Sequence, residues 1–217
     1  MLLDGLSPQE QAEVRSLCRR QRFAAGEHLF HTGDIGDALH YIDRGRVLIL
    51  VASSGGDTVA LTVYGQGQSF GEQALLDPRA RRTATARALE PTETLALARA
   101  DFEAMRSLHP HLERVLSNVL ADQVRRLTER LVEALTEPVE VRVYRRLHEL
   151  GAVYAVTGTQ EPIPLTQDQV AAMAGARLRI TNRVLNDARR DGVVSTHRRR
   201  IVVHDWDALR RRAQLPR

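Results

Sequence analysis

The sequence of 217 residues predicts an α+β protein with an N-terminal β-roll, a long helix and a C-terminal winged helix-turn-helix. Three observations lead to this prediction. Short apolar runs broken by glycine occupy residues 23–97, which suits a β-barrel or roll. Apolar residues then recur at steps of four and three between residues 120 and 134, which is a helical pattern. Two short helical segments finally meet at Gly175 and precede two apolar runs around a basic turn.

The β-roll part, residues 1–109, begins with a predicted helix. Ser7-Pro8-Gln9-Glu10 combines a hydroxyl cap, a proline at the first helical position and a glutamate that closes a capping box. We expect this helix to run to about Arg20. No carboxylate or thiol stands at a metal-ligand spacing beside the histidines of the roll. The sequence therefore predicts no metal site, and it predicts strand-surface positions for His28, His31 and His40.

A long helical region is predicted after Arg99, with a break near His109-Pro110 and an end at Pro138. Its second part, residues 110–137, carries a narrow apolar seam of the a/d type. The seam residues are Leu120, Val124, Leu127, Leu131 and Ala134. Such a seam either packs on the chain's own barrel or meets a symmetry mate. We favour the symmetry mate, so that two parallel helices form a homodimer.

The third part, residues 138–217, is predicted to be a winged helix-turn-helix. One helix follows Pro138, and the segments TQDQVAAMAG and RLRITNRVLNDARRDG form two further helices hinged on Gly175. The second of these is rich in arginine, which is typical of a recognition helix. In VVSTHRRRIVVHD, apolar residues flank a basic turn as in a winged hairpin, and a last helix begins at Trp206.

Charge divides the chain in a similar way. Residues 1–137 hold 16 arginines and 19 acidic residues, a net charge of −3, whereas residues 138–217 hold 15 arginines and 8 acidic residues, a net charge of +7. The positive end predicts contact with a polyanion such as nucleic acid. The single cysteine, Cys18, excludes a disulfide framework and fits a reduced, cytoplasmic setting. No apolar run approaches the ~18 residues of a membrane helix and residues 1–4 do not resemble a signal peptide, so no membrane partner is expected.

The stretch FGEQALLDPRARRTA, residues 70–84, places the carboxylate of Glu72 shortly before an arginine cluster and a threonine. Arg81 and Arg82 are equally suited to bind a small anion, because the planar guanidinium matches a phosphate. A carboxylate would repel that phosphate, so Glu72 must face a hydroxyl-bearing end of the ligand. An internal salt bridge in an unliganded roll and a solvated loop at a strand end are the alternatives.

The order of a roll, a seam helix and a winged helix-turn-helix resembles the cyclic-AMP receptor protein/FNR superfamily of bacterial transcription regulators. The likeness covers nearly the whole chain. Its most specific part is Phe70-Gly71-Glu72 with Arg82-Thr83-Ala84, which resembles the phosphate-binding cassette of cyclic-nucleotide-binding domains. The resemblance implies that Glu72 accepts a hydrogen bond from the ribose 2′-hydroxyl and that Arg82 pairs with the cyclic phosphate. Thr83 and backbone amides near Gly71 would complete the site.

The resemblance also bears on the ligand. In the receptor, polar residues of the long helix touch the purine, one from each subunit; here Thr128 retains a hydroxyl, whereas Leu127 replaces a polar residue. Cyclic AMP is the expected ligand, and Thr83 leaves cyclic GMP open, because a threonine after the arginine accompanies cyclic GMP in related eukaryotic domains. An iron–sulfur cluster or haem is not expected, since there is one cysteine and neither histidine nor cysteine between Leu48 and Arg106.

The recognition helix departs from the family pattern. Many members read SRETVxR, and the matching window here is residues 177–183. Arg183 matches the last arginine, whereas Leu178 and Arg179 replace an arginine and a glutamate. The resemblance implies binding to a palindromic site in double-stranded DNA, but with a changed base sequence. The expected DNA contacts are Arg177, Arg179, Thr181, Asn182 and Arg183 in the helix, and Arg198, Arg199 and Arg200 in the wing turn.

The function expected from the sequence is that of a homodimeric transcription regulator that cyclic AMP shifts toward its DNA-binding state. The loop from Thr157 to Pro162 stands where the receptor contacts RNA polymerase, which is an expected partner. One alternative is a regulator of the same family that is active without ligand. Another, from a different class, is a nucleotide-sensing module that regulates a partner protein. No nucleophile–base pair or metal constellation is recognisable, so catalysis is not expected.

Overall fold

The computed structural model describes residues 6–52, 58–154 and 162–215. The chain forms two compact units. The first comprises Met1–Val51 and Tyr64–Glu129, and the second comprises Ala52–Val63 and Arg130–Arg217. Within the described ranges, no helix combines the length and the apolar character needed to cross a membrane.

The first helix, α1 (Pro8–Leu17), begins with the predicted capping box. The Ser7 hydroxyl accepts the backbone N–H of Glu10 at 3.4 Å, and the Glu10 carboxylate accepts the backbone N–H of Ser7 at 2.8 Å. The helix ends three residues before the predicted Arg20. The chain is already extended there, because Arg19–Phe23 forms strand β1, which pairs antiparallel with strand β8.

The strands that follow form two four-stranded sheets, with strand orders β1-β8-β3-β6 and β2-β7-β4-β5. A short helix, α2 (Gln73–Leu76), lies between β6 and β7 in the chain. The pairs β1–β8, β2–β7, β3–β6, β3–β8 and β4–β7 are antiparallel, which agrees with the alternating sequence pattern of a roll. The strands are β1 (Arg19–Phe23), β2 (His28–Phe30), β3 (Ala38–Arg44), β4 (Val47–Ala52), β5 (Thr58–Tyr64), β6 (Ser69–Phe70), β7 (Thr85–Ala88) and β8 (Thr92–Ala98).

Two apolar clusters form the core of the first unit, one on each face of β3. Between the sheets, Ile42 packs with Val47 and Phe70. On the other face of β3, Leu39 packs with apolar residues of the surrounding helices, among them Phe102. Strand β3 is therefore buried on both faces.

His40 is buried in this strand, so the predicted surface position is wrong for it. Its ring stacks on that of Phe70 with centroids 5.4 Å apart, and its Nδ1 lies 3.3 Å from the Thr94 hydroxyl. Burial, with a smaller effect of the Arg82 cation, lowers the pKa of His40 to about 4. The imidazole is therefore neutral at physiological pH.

The long helical region breaks where predicted. Helix α3 (Arg99–Leu108) ends at His109, and helix α4 (Leu112–Thr136) follows after a short turn. Both compact units include part of α4. The functional division into residues 1–109, 110–137 and 138–217 stays a prediction.

The C-terminal part has the predicted helix-turn-helix and hairpin. The two helices of the motif meet at Gly175, whose φ of +58° suits glycine at a helix end. The hairpin turns at Arg198-Arg199, where Arg199 has a φ of +55°. The elements are α5 (Val139–Tyr154), α6 (Gln167–Met173), α7 (Leu178–Arg190), β9 (Val194–His197), β10 (Arg200–Val203) and α8 (Trp206–Arg212).

A cluster of charges around the buried Arg146 joins the last turns of α4 to α5. Arg146 is buried, and it donates to Glu133 of α4 at 2.6 Å and to Glu149 of its own helix at 2.8 Å. Arg145 donates to Glu137 at 3.0 Å. Because a buried charge requires close counter-charges, this cluster stabilises one packing of α5 against the end of α4.

Candidate nucleotide site and DNA-reading face

Arg82 lies inside the roll although it is a cation. Its guanidinium carbon is 4.1 Å from the centroid of the Phe30 ring, which is a cation–π contact. Its Nη2 is 3.6 Å from the exposed carboxylate of Asp37, and its buried Nε has no hydrogen-bond partner among the described residues. Part of the donor capacity of this guanidinium is therefore unused.

The surroundings of Arg82 set its electrostatics. Burial lowers the pKa of the guanidinium, whereas Asp37, Asp34 and Glu72 act in the opposite direction. An arginine in a protein stays charged even so. The site thus holds a poorly solvated cation that favours an anionic partner.

The structure distinguishes the two arginines that the sequence left equal. Arg81 is exposed, and its Nη1 donates to the carbonyl of Gly33 at 2.8 Å. Only Arg82 turns into the roll. The internal ion pair that Arg82 forms is with Asp37 rather than with Glu72.

Gly71 fits closely against Arg82. The carbonyl of Gly71 accepts a long hydrogen bond of 3.5 Å from Nη1 of Arg82. A Cβ atom at position 71 would lie 2.5 Å from that Nη1, and the backbone φ is +82°. The backbone conformation therefore favours glycine here, and a side chain would displace the Arg82 guanidinium.

Glu72 is buried beside this glycine, at the N-terminal end of α2. It interacts electrostatically with Arg82, so the structure brings Gly71, Glu72 and Arg82 into one site. Thr83 is exposed. Thr128 is exposed on α4, where its hydroxyl donates to the carbonyl of Val124 at 3.0 Å.

Sequence reasoning missed two residues of this site, Asp37 and Phe30. Asp37 lies 45 positions before Arg82 in the chain, and Phe30 lies further away still. No local pattern pairs them with the arginine. The pairing follows only from the packing of the strands.

The predicted seam on α4 is largely exposed in the single chain. Val124, Leu127 and Leu131 expose 63%, 56% and 60% of their surface. Ala134 is exposed as well, whereas Leu120 packs partly against the core of the first unit. The alternative prediction was that the seam packs on the chain's own barrel. Only Leu120, the first residue of the seam, does so.

One face of α7 is open to solvent. A shallow groove on this face is lined by Arg179, Ile180, Asn182, Arg183, Asn186 and Asp187. Arg177, at the residue before the first turn of the helix, is exposed, and the wing arginines Arg198, Arg199 and Arg200 are exposed too. These positions agree with a basic surface that can meet DNA.

Thr181 does not share this face. It is 0% exposed and packs on the same side of α7 as Val184, Leu185 and Ala188. A fully buried hydroxyl cannot reach a base or a phosphate, so the expected DNA contact by Thr181 is not retained.

Arg183 is held by an acidic residue from another helix. Its Nη2 donates to Oε1 of Glu140, in the first turn of α5, at 2.9 Å. The side chains are 66% and 47% exposed, respectively. No local pattern indicates this pair, because its members are 43 positions apart.

Comparison with known proteins identifies a domain family for each of the two regions. The cyclic nucleotide-binding domain family matches residues 20–109, and the Crp-like helix-turn-helix domain family matches residues 141–212. A cyclic nucleotide-binding domain followed by this DNA-binding domain defines a transcription regulator.

Relatives along nearly the whole chain identify the family. The cyclic AMP receptor protein of Thermus thermophilus is 32% identical over 193 residues, which cover 89% of this chain and 87% of the relative. The CRP-like cAMP-activated global transcriptional regulator of Mycobacterium tuberculosis is 29% identical over 222 residues, covering 98% and 96%. The crystal structure of the Thermus thermophilus catabolite activator protein matches with a TM-score of 0.57 at 30% identity, covering 98% of each chain. The chain belongs to the cyclic-AMP receptor protein/FNR superfamily of bacterial transcription regulators.

The family membership confirms the predicted class of protein. Members with this pair of domains are transcription regulators and not enzymes. Within the part of the chain that the structure describes, no group of three or more histidine, cysteine or acidic residues is arranged to hold a metal ion.

Proposed function

We propose that this protein is a homodimeric transcription regulator whose DNA binding is controlled by cyclic AMP. The observation that carries the proposal is the buried guanidinium of Arg82, with an unpartnered Nε among the described residues and a long, 3.6 Å contact to Asp37. A buried cation with unused donors favours a phosphate. The names of the relatives add support, since one is a cyclic AMP receptor protein and another is cAMP-activated.

In this proposal the cyclic phosphate binds Arg82, and the ribose hydroxyl donates to Glu72. The Glu72 carboxylate and the phosphate are both negative, so Glu72 faces the hydroxyl and not the phosphate oxygens. Thr83 contributes a hydroxyl from the exposed side of the loop. Thr128 contributes a second hydroxyl toward the purine.

Dimerisation is proposed to occur through the apolar face of α4. Val124, Leu127 and Leu131 leave this face exposed in the single chain. Pairing with a second copy about a two-fold axis would remove it from water. Residues 110–137 are therefore proposed as the dimerisation helix.

Control of DNA binding follows as a shift between two states of the dimer. A ligand moves such an equilibrium only by its difference in affinity for the two states. Two recognition helices related by a two-fold axis fit successive major grooves about 34 Å apart, so the site should be a palindrome. RNA polymerase is a proposed partner as well. The loop assigned to that contact, from Thr157 to Pro162, lies outside the described residues except for Pro162.

The proposal is tested by calorimetric titration of the purified protein with cyclic AMP and with cyclic GMP. DNA binding is then measured with and without the nucleotide that binds. The proposal is supported if cyclic AMP binds and strengthens DNA binding. Preferential binding of cyclic GMP would identify cyclic GMP as the ligand in place of cyclic AMP.

Two results would replace the proposal. Sequence-specific DNA binding that neither nucleotide changes would indicate a regulator controlled by its abundance. Nucleotide binding without a footprint on any duplex would indicate a sensing module that regulates a partner protein.

A further inference from the structure

The ion pair between Arg183 and Glu140 is placed where it can influence how the protein reads DNA. Arg183 lies on the open face of α7, and its Nη2 donates to the Glu140 carboxylate at 2.9 Å. Glu140 lies in the first turn of α5, where the positive end of the helix dipole stabilises a carboxylate. A carboxylate on a surface that meets DNA is unfavourable for affinity, since it faces a polyanion.

The pair restricts what Arg183 can do. An exposed arginine beside DNA is attracted to the nearest phosphate, and this contact carries no sequence information. A guanidinium has five N–H donors in a fixed plane, so a carboxylate that binds one edge leaves donors on another edge for a base. Guanine offers O6 and N7 as a matching pair of acceptors.

Two other arginines of α7 provide a contrast. Within the described ranges, Arg179 forms no ion pair, and Arg190 pairs with Asp187 of its own helix, near the C-terminal end. Arg183 is thus distinguished by a carboxylate that comes from a different helix. The carboxylate is therefore carried by an element other than α7.

We propose that Glu140 is a positioning residue that holds Arg183 in the orientation that reads a base and keeps it from the phosphate backbone. The proposal rests on sequence-specific DNA reading by α7. Its consequence is that Glu140 raises specificity while it lowers affinity for DNA of arbitrary sequence.

The test compares Glu140→Gln with the wild-type protein at full length, in the presence of cyclic AMP. Affinities are measured for a duplex selected from a random library and for an unrelated duplex, at several salt concentrations. The variant should bind the unrelated duplex more tightly. The logarithm of its binding constant should fall more steeply with the logarithm of the salt concentration, by about 0.9 in slope for each subunit that gains a phosphate contact. The preference for the selected duplex should fall by about tenfold or more, within the range of one base contact.

A matched control is Asp191→Asn. Asp191 lies just after α7 and pairs with Arg212 at 2.6 Å, so this variant also removes one negative charge and one ion pair from the same part of the chain. It should keep the wild-type ratio of specific to unrelated binding. Glu140→Asp, which retains the carboxylate, should recover part of the preference lost in Glu140→Gln.

Three results would overturn the inference. One is a Glu140→Gln protein with the wild-type base preference at every position. Another is an equal change of both affinities in Glu140→Gln and Asp191→Asn, which would indicate a general effect of charge. If the wild-type protein selects no sequence at all, DNA reading by α7 fails, and the inference fails with it.

Discussion

The carbonyl of Gly71 and the guanidinium of Arg82 are in direct contact, and there is no room for a side chain between them. Nη1 of Arg82 lies 3.5 Å from the carbonyl oxygen and would lie 2.5 Å from a Cβ atom at position 71. The segment that carries Glu72 of the proposed site thus also contacts Arg82. Two predictions concern this contact.

Arg82→Ala should weaken cyclic AMP binding by about ten- to a hundredfold, because a charge-assisted hydrogen bond contributes roughly 1.5–3 kcal/mol. Calorimetric titration measures the change. Arg81→Ala is the control, since Arg81 is exposed and donates to the Gly33 carbonyl outside the proposed site. Equal affinities for wild type and Arg82→Ala would exclude Arg82 as the phosphate ligand.

Gly71→Ala should lose both stability and affinity for cyclic AMP. The φ of +82° strains an alanine, and its Cβ displaces the Arg82 guanidinium. Gly26→Ala separates the two effects, since Gly26 has a φ of +86° but nothing within 4 Å of an added Cβ. Both variants should lose about 1–2 kcal/mol of stability from backbone strain. Only Gly71→Ala should also bind cyclic AMP more weakly, and unchanged binding would contradict the geometry of the site.

Leu127→Glu should convert the protein to monomers and strongly weaken binding to a palindromic site. In a two-fold pair of α4 helices, the new carboxylates would lie close to each other within an apolar seam. Light scattering reports the mass. Leu108→Glu is a suitable control, because Leu108 is 73% exposed at the end of α3, outside the seam. A Leu127→Glu protein that stays dimeric would place the dimer interface elsewhere.

The buried His40 predicts a pH dependence of stability. Its pKa is about 4 in the folded protein, against an ordinary value of 6.5, chiefly because of burial. The folded state therefore binds the proton less readily than the unfolded state. The stabilisation that depends on the neutral imidazole is fully present above pH 6.5. It is lost as the pH falls toward 4. The loss should amount to about 3 kcal/mol, at about 1.4 kcal/mol per pH unit.

Urea unfolding of wild type and His40→Phe across this pH range measures the effect. The difference between their free energies of unfolding should change by about this amount. If this difference in the free energy of unfolding does not change with pH, the prediction is wrong. The folded protein would then bind the proton on His40 as readily as the unfolded protein does, or it would open locally and admit water to the ring.

Arg183→Ala should lose the preference for one base in each half-site, at roughly 1–3 kcal/mol. Arg199→Ala should instead weaken all duplexes alike and flatten the salt slope by about one unit. Selection from a random duplex library separates the two effects. If Arg183→Ala keeps the wild-type motif with uniformly lower affinity, Arg183 binds the phosphate backbone.

Local patterns in the sequence predict most of the fold. The capping box at Ser7, the break near His109 and the hinge at Gly175 all depend on neighbouring residues, and the structure has them where they were expected. His40 was misplaced because it lies on the same face of β3 as Ile42, between the two sheets, where its ring stacks on Phe70. Thr181 was misplaced although its spacing from Val184, Leu185 and Ala188 already marks the buried face of α7.

The partners of the functional arginines could not be predicted in the same way. Asp37 reaches Arg82, and Glu140 reaches Arg183, only once distant segments have packed. The resemblance to known domains identifies Arg82 and Arg183 as functional residues, but it does not identify the carboxylates with which they form ion pairs.

The charged cluster around Arg146 determines at which residue a separate DNA-binding fragment of this protein can begin. A fragment that starts at Pro138, the natural break in the sequence, would keep Arg146 and Glu149 but remove Glu133, the other partner of Arg146, on α4. Removing one partner from a buried ion-pair cluster costs about 3–5 kcal/mol, which is a large part of the stability of a small domain. An autonomously folding DNA-binding fragment should therefore start near residue 130 and retain the last two turns of α4, a stretch that the sequence presents as part of a different element.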